Sequence, residues 1–282
     1  MSRAEPVVLV ATRIRVEERV LLEALARRCL SAVHVDDRTL VYRIGDPPPP
    51  WRAVLNRALS ATRRVEISRY CEVMGIPVLN SAETLATCDN KIAGTWALRC
   101  AGLPVPDTVI ALDAEAGVRA VGEVGFPAVV KPVVGSWGRG LAKVNDTDAA
   151  EAVFDLRGGS PSPVQKLAYA QEFVEGRDIR VLVVGGHAVA AAQRTSDHWV
   201  RNTARGARAC PVPLDPELVD LAERASKAVG GGILGVDVLE SCAGDRVVLE
   251  VNAGVEFHGL ASAHPDLPIA DLVVDHLLEV LG

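Results

Sequence analysis

Gly232-Ile233-Leu234-Gly235-Val236-Asp237-Val238-Leu239 and, beyond a polar turn, Asp245-Arg246-Val247-Val248-Leu249-Glu250-Val251-Asn252 read as two strands that pair antiparallel. Both are rich in Val, Ile and Leu, residues that suit a buried pleated surface. The hairpin puts Asp237 near the level of Glu250. The two-residue repeat of strand side chains sends Glu250 and Asn252 to one face. Two carboxylates and an amide oxygen make a hard oxygen cluster of the kind that suits Mg²⁺. The alternative is a solvated polar strand face. Against it stands the cost of burying unpartnered carboxylates among apolar neighbours. Spacing alone leaves both readings open.

Toward the N-terminus, Lys131-Pro132 closes the apolar strand Ala128–Lys131 and runs into Gly135-Ser136-Trp137-Gly138-Arg139-Gly140. Glycines at this density leave backbone N–H groups free to approach phosphate oxygens, with Ser136 as a further donor. A Walker A loop would need Gly-Lys-Ser/Thr ahead of a helix. These glycines sit between two strands, as in a flap over phosphates or in an ordinary tight turn. Lys91, in a helix expected over 89–101, reads by itself as a surface charge. Gln171-Glu172-Phe173-Val174-Glu175-Gly176-Arg177-Asp178 ends one strand and turns into the next. It is either a charged turn or a strand end that presents backbone groups to a base and Asp178 to hydroxyls. Arg180 and Arg194 lie on apolar strands, and Arg201, Arg205 and Arg208 fall in or beside the polar run Asp197–Gly206, with His198 and Asn202. Guanidinium forks match carboxylate and phosphate oxygens.

The rest of the chain is α/β in pattern. Val7–Ala11 is a buried strand, too short for a signal segment or membrane span. Gly45 to Pro50 is a stiff exposed loop. Pro104 and Pro106 follow a helix stop at Gly102. Gly185-Gly186 marks a hairpin, and Ile269–Leu281 is an amphipathic helix. With 49% hydrophobic and 23% charged residues the composition is that of a soluble globular protein, expected in the cytoplasm. A formal charge of −6 argues against a nucleic-acid binder. The six cysteines are scattered, without metal-knuckle spacing, and read as reduced thiols.

Taken in order, Lys91, Lys131-Pro132, Gly135-Ser136-Trp137-Gly138-Arg139, Gln171 to Arg180 and Asp237 … Glu250-Val251-Asn252 resemble the ATP-grasp superfamily. Within it the chain is similar to the RimK-like ligases, above all the LysX branch, over nearly its whole length. The resemblance implies an α/β (α+β) ATP-grasp fold behind a small α/β pre-ATP-grasp domain. It divides the chain into an N-terminal domain at 1–88, a central subdomain with the flap at 89–167 and a C-terminal subdomain with the metal site at 168–282. ATP would lie between the last two. Lys91, Lys131 and the flap residues Gly135, Ser136, Trp137, Gly138 and Arg139 would hold its phosphates. Gln171, Glu172 and Val174 would frame adenine, and Asp178 would hold ribose. Asp237, Glu250 and Asn252 would hold Mg²⁺, with Mn²⁺ as a substitute. Arg180, Arg194 and Asn202 would stabilise charge as a carboxylate is phosphorylated and an amine displaces phosphate.

That branch joins an amino acid to the C-terminal glutamate of a small acidic amino-group carrier protein. His198 and Arg205 would face that substrate, and Glu256, Phe257, Gly259 and Leu260 the incoming amino acid. Members loading α-aminoadipate carry Asn and a small residue here, and those loading glutamate carry Gly-Phe. Gly259-Leu260 departs from both and stands nearer the second, so the amine substrate stays open. A ligase joining free amino acids, or adding glutamate to another protein, is the alternative. A small-molecule kinase and a nucleotide-binding protein without catalysis are the others. The resemblance implies no nucleic acid or membrane partner, and a homodimer or homotetramer.

Overall fold

The computed structural model describes residues 5–135, 138–196, 198–200 and 208–281, and within them the chain builds three sheets. The first contains β1 (Val7–Val10), β2 (Ala32–Val35), β3 (Ala53–Asn56) and β4 (Val78–Leu79), all parallel, in the order β2-β1-β3-β4. β1 and β3 are buried at every residue, as strands covered on both faces must be. On one face Ile67 and Cys71 of α2 (Ala61–Val73) pack against Val8, Val10 and Val54. On the other, Leu21 and Leu25 of α1 (Val16–Arg27) share a core with Val273, Val274 and Leu277 of α10 (Ile269–Leu281). The last helix of the chain therefore closes the first domain.

The helix expected over 89–101 is α4 (Lys91–Cys100), and a separate helix, α3 (Ala82–Asp89), precedes it. Asn90 divides them, because its Oδ1 accepts from the amides of Ile92 and Ala93 and caps α4. Lys91 is thus the first residue of α4.

The second sheet is antiparallel, in the order β5-β8-β6-β7, from β5 (Thr108–Ala111), β6 (Ala128–Lys131), β7 (Ala142–Val144) and β8 (Ala168–Glu172). α5 (Ala114–Val124) and α6 (Thr147–Gly158) cover it. The Phe154 ring lies where a Cβ on Gly117 would stand, which lets the two helices close together. The short α7 (Pro163–Lys166) leads into β8. β8 lies beyond residue 167, yet it pairs with β5 and β6, so this sheet runs past the division expected there.

The third sheet is antiparallel too, with β9 (Gly176–Val184), β10 (His187–Thr195), β11 (Arg208–Val212), β12 (Ile233–Ser241) and β13 (Arg246–Asn252) in the order β11-β10-β9-β12-β13. Gly185 and Gly186 turn the β9–β10 hairpin at φ of 60° and 88°, backbone that two-residue hairpin loops require. Ile179, Val181, Val183, Val236 and Val238 form one face, packed on α8 (Pro216–Ala228). The opposite face is divided. Leu182, Val184 and Ile233 join the core with α10, whereas Asp178, Arg180, Arg194, Asp237 and Glu250 lie where the sheet borders a cavity.

A bulge sets that polar face. Asp237 pairs with Glu250 but Val238 pairs with Val248, which leaves Leu249 as the extra residue. Strict alternation would put Glu250 on the buried face of Val248. The extra residue moves it to the side of Asp237.

Asn80 joins the first domain to the third sheet. Its amide donates to Ile233 O at 2.9 Å and Ala253 O at 3.0 Å, and its Oδ1 accepts from Ile233 N at 2.6 Å. Removing a buried group with this many bonds orphans the backbone it served. Asn80→Ala is expected to cost about 2–4 kcal/mol, seen as a lower urea midpoint. An unchanged midpoint would show that the joint carries no stability. No helix among the described residues is long and apolar enough to cross a membrane.

Candidate active site

The three sheets meet around a cavity of about 320 Å³. Its floor is the polar part of the third sheet. Asp237 is buried and accepts a two-pronged bond from Arg180, Nε to Oδ1 and Nη2 to Oδ2, both at 2.7 Å. Arg194 reaches Asp237 Oδ2 at 3.1 Å and Asp178 Oδ1 at 2.5 Å. Asn252 Nδ2 spans the two acids, 3.2 Å from Asp237 Oδ2 and 3.2 Å from Glu250 Oε1. Burial by itself would raise the Asp237 carboxyl, but Arg180 and Arg194 outweigh it and hold the acid below its usual range. Burial likewise works against the Arg194 charge, and Asp237 and Asp178 overcome it.

These residues fit a hard divalent cation. Asp237, Glu250 and Asn252 converge through one amide, and turning that amide presents its oxygen in place of its hydrogens. No group of three or more His, Cys, Asp and Glu is placed to hold a metal among the described residues. Two carboxylates and an amide would suit an ion that completes its shell with phosphate and water.

The second sheet supplies one wall. Lys131 is buried, and burial brings its pKa down to about 8, with Glu250 pulling the other way. Its Nζ donates to Gln171 Oε1 at 2.5 Å and lies 5.9 Å from the centre of the Tyr169 ring. Gln171 is fixed in turn, donating to Thr108 Oγ1 at 3.0 Å and Tyr169 Oη at 3.1 Å. The Gln171 side chain, expected beside adenine, is thus taken up in orienting the lysine. Val174 lies past the last bond of that strand edge, Phe173 N to Pro127 O at 3.1 Å, and Glu172 and Val174 both line the cavity.

Lys91 Nζ donates to Gly135 O at 3.0 Å and so meets the glycine loop. Gly135, Gly138 and Arg139 line the cavity. Arg157, on α6, was not singled out by sequence. It donates to Lys131 O at 2.9 Å and Gly140 O at 2.8 Å, tying both ends of the loop to one guanidinium. Neighbouring sequence carries no signal of such a contact.

The other expected residues are divided between the cavity wall and places off it. Asp178 lines the cavity, but its Oδ1 is held by Arg194. Glu256 lines it and pairs with Arg15 at 2.5 Å. Phe257 and Leu260 are buried in the core with α1 and α10, and Gly259 lies on α9 (His258–Ala263), off the cavity wall. The alternation of a strand does not reach this far, because the chain turns into a helix whose apolar side packs inward. His198 is outside the wall, its Nδ1 accepting from Val200 N at 3.0 Å, while Trp199 and Val200 line it. Ser136, Trp137, Asn202 and Arg205 lie outside the described residues. Arg15, Arg57 and Arg64, which sequence did not connect with the site, reach it from the first domain.

Comparison with known proteins places the chain among families. Residues 88–273 match the family model of the RimK-like ATP-grasp domain, and residues 7–87 that of the LysX preATP-grasp domain. The chain is similar to the alpha-aminoadipate–LysW ligase LysX of Saccharolobus solfataricus, 36% identical over 206 residues, which cover 72% of this chain and 75% of the relative. It is 28% identical to the glutamate–LysW ligase ArgX of Sulfolobus acidocaldarius, over 96% of this chain and 97% of the relative. The crystal structure of a RimK domain protein ATP-grasp from Sphaerobacter thermophilus superimposes with a TM-score of 0.82 at 31% identity, covering 97% and 99% of the two chains.

Proposed function

The chain belongs to the RimK-like ATP-grasp ligases, and from that membership we propose that it joins an amino acid, α-aminoadipate or glutamate, to the C-terminal glutamate of an acidic carrier protein, using ATP and Mg²⁺. The observation that carries the reading is one cavity lined by Lys91 and Lys131 together with the acids Asp237 and Glu250, with Arg180 on β9 and Arg194 on β10 paired to Asp237. A triphosphate and a carboxylate repel each other, and a site that brings them together needs cations on both sides.

In this reading 1–88, 89–167 and 168–282 are the three functional parts, with β8 of the last completing the sheet of the second. Lys91, Lys131 and the glycine loop hold the phosphates, Glu172 and Val174 flank the base, and Asp178 receives the ribose. Gln171 acts on the nucleotide through Lys131. Asp237, Glu250 and Asn252 hold the metal, with Mn²⁺ as its substitute, and the bound ion offsets charge on the phosphates. Arg180 and Arg194 stabilise negative charge on the transferring phosphoryl group and then on the tetrahedral carbon, and Asn202 joins them. The substrate carboxylate attacks the γ-phosphorus, ADP leaves, and the amine displaces phosphate from the acyl phosphate to give the amide. The glycine loop, held at its base by Arg157, keeps water from the acyl phosphate.

The test is incubation with ATP, Mg²⁺, pooled amino acids and a small acidic protein ending in glutamate. The expected result is a carrier heavier by one α-aminoadipate or glutamate residue, with equimolar ADP. ADP with an unchanged carrier and a new dipeptide would overturn the carrier reading.

A further inference from the structure

Near neutral pH the amine of an amino acid is chiefly an ammonium, and it has no lone pair for an acyl phosphate until it gives up a proton. A base at the cavity wall has to take it. No histidine among the described residues lines the cavity, which leaves its carboxylates as the acceptors ready at that pH. Asp237 and Glu250 are set aside for the metal. Both Asp89 oxygens accept from Arg64, at 2.9 and 3.0 Å, and Asp178 is held by Arg194. Glu172 and Glu175 stand at the strand end read as flanking the nucleotide base. Glu256 is the acid that remains.

Glu256 lines the cavity four residues past Asn252, with 33% of its side chain exposed. Its Oε1 accepts from Arg15 Nη1 at 2.5 Å. Oε2 accepts no bond among the described residues and is not enclosed, so it is open to a ligand. The pair is fixed from behind. Arg15 donates through Nε and Nη2 to the two oxygens of Glu18, each at 2.9 Å, and Glu18 is buried. Burial alone would raise the Glu18 carboxyl, but Arg15 and Arg57 outweigh it and hold it below its usual range. The backbone on either side of Glu256 is fixed as well, again by the first domain. Asn80 donates to Ala253 O at 3.0 Å, Arg57 to Val255 O at 2.9 Å, and Glu17 accepts from His258 N at 3.3 Å. Four side chains of the first domain thus set the place of one carboxylate. Held in this way, it keeps its geometry through a proton transfer.

We propose that Glu256 binds the ammonium of the incoming amino acid and takes its proton, with Arg15 and Glu18 as positioning residues. The assignment rests on the ligase reading. The ammonium gives one proton to Glu256 Oε2, and the nitrogen lone pair forms the C–N bond at the acyl carbon. As the tetrahedral centre collapses, the C–O bond to phosphate breaks and phosphate leaves with that electron pair. A second proton passes from nitrogen to the departing phosphate, and Glu256 then returns the first to water.

The experiment compares two kinds of nucleophile on the full chain with ATP, Mg²⁺ and the carrier ending in glutamate: L-glutamate or L-α-aminoadipate, and hydroxylamine. Hydroxylamine is chiefly unprotonated at neutral pH and needs no base, so it reports the acyl phosphate as a hydroxamate. Glu256→Gln should lower amide formation by about a hundredfold or more, the ordinary share of a general base, while hydroxamate forms at close to the wild-type rate. Glu256→Asp should keep more amide formation than Glu256→Gln. Amide at the wild-type rate in Glu256→Gln, or a parallel loss of amide and hydroxamate, would overturn the assignment. The hydroxamate also shows that each variant is folded. Wild type that gives neither ADP nor hydroxamate overturns the ligase reading, and the assignment falls with it. Wild type that gives both, beside a Glu256→Gln variant that loads the amino acid normally, keeps the reading and loses only the base.

Discussion

Asp237→Asn is expected to lower amide formation by about a thousandfold or more, equivalent to about 4 kcal/mol in the barrier. Two effects add. The substitution removes an anionic donor from the proposed metal site, leaving one carboxylate and two amides. It also leaves Arg180 and Arg194, which now share Asp237, facing one fewer acid. Breaking a buried ion pair from one side costs about 3–5 kcal/mol, so the variant should also melt at lower temperature. The two effects separate by measurement. Metal-dependent ADP release is followed at a temperature where circular dichroism shows the variant folded. Ligation at the wild-type rate there would remove Asp237 from the metal site.

The same face shows how far a sequence can be read. Asp237 opposite Glu250 follows from a hairpin and a two-residue repeat, and the pairing has that register. What places both acids in one cavity is the bulge at Leu249, which no composition signal marks. The expectation reached the right face by treating Glu250 and Asn252 together and never crossing the bulge. A short-range signal is legible in the same way: Gly185-Gly186 turns a hairpin.

Signals that depend on distant partners were not legible. β2 is a short strand whose residues are all partly or fully exposed, and β11 carries Pro211 in an edge position; neither shows the apolar pattern of a buried strand. Arg157 has no local partner to reveal it, because its carbonyl acceptors lie 17 and 26 residues away. Arg57 and Arg64 look like ordinary surface charges until β3 and α2 are folded against Gly254 and Val255. Gly259 and Leu260 are the opposite case. They sit near the right motif in sequence, but α9 turns them away from the cavity. The parts of the site that lie on one hairpin or one loop are thus readable from sequence, and those contributed across domains are not.

Lys131→Met is expected to weaken ATP binding by about a hundredfold, since the proposed phosphate contact of this buried cation is a charge-assisted bond of about 1.5–3 kcal/mol. The pH dependence of the wild type provides an independent check. In the folded protein the Lys131 pKa is about 8, below the value of about 10.4 in an unfolded chain. Between those values the unfolded state binds more protons, so stability rises with pH across that window and is flat on either side. The rise is on the order of 3 kcal/mol, and Lys131→Met should abolish it while leaving the fold intact. Nucleotide reverses the balance. A triphosphate beside Nζ favours the ammonium form, so ATP binding near pH 8–9 should take up a proton. Calorimetry in buffers of different ionisation enthalpy measures that uptake. If binding takes up no proton, or Lys131→Met binds ATP as tightly as wild type, Lys131 does not face the phosphates.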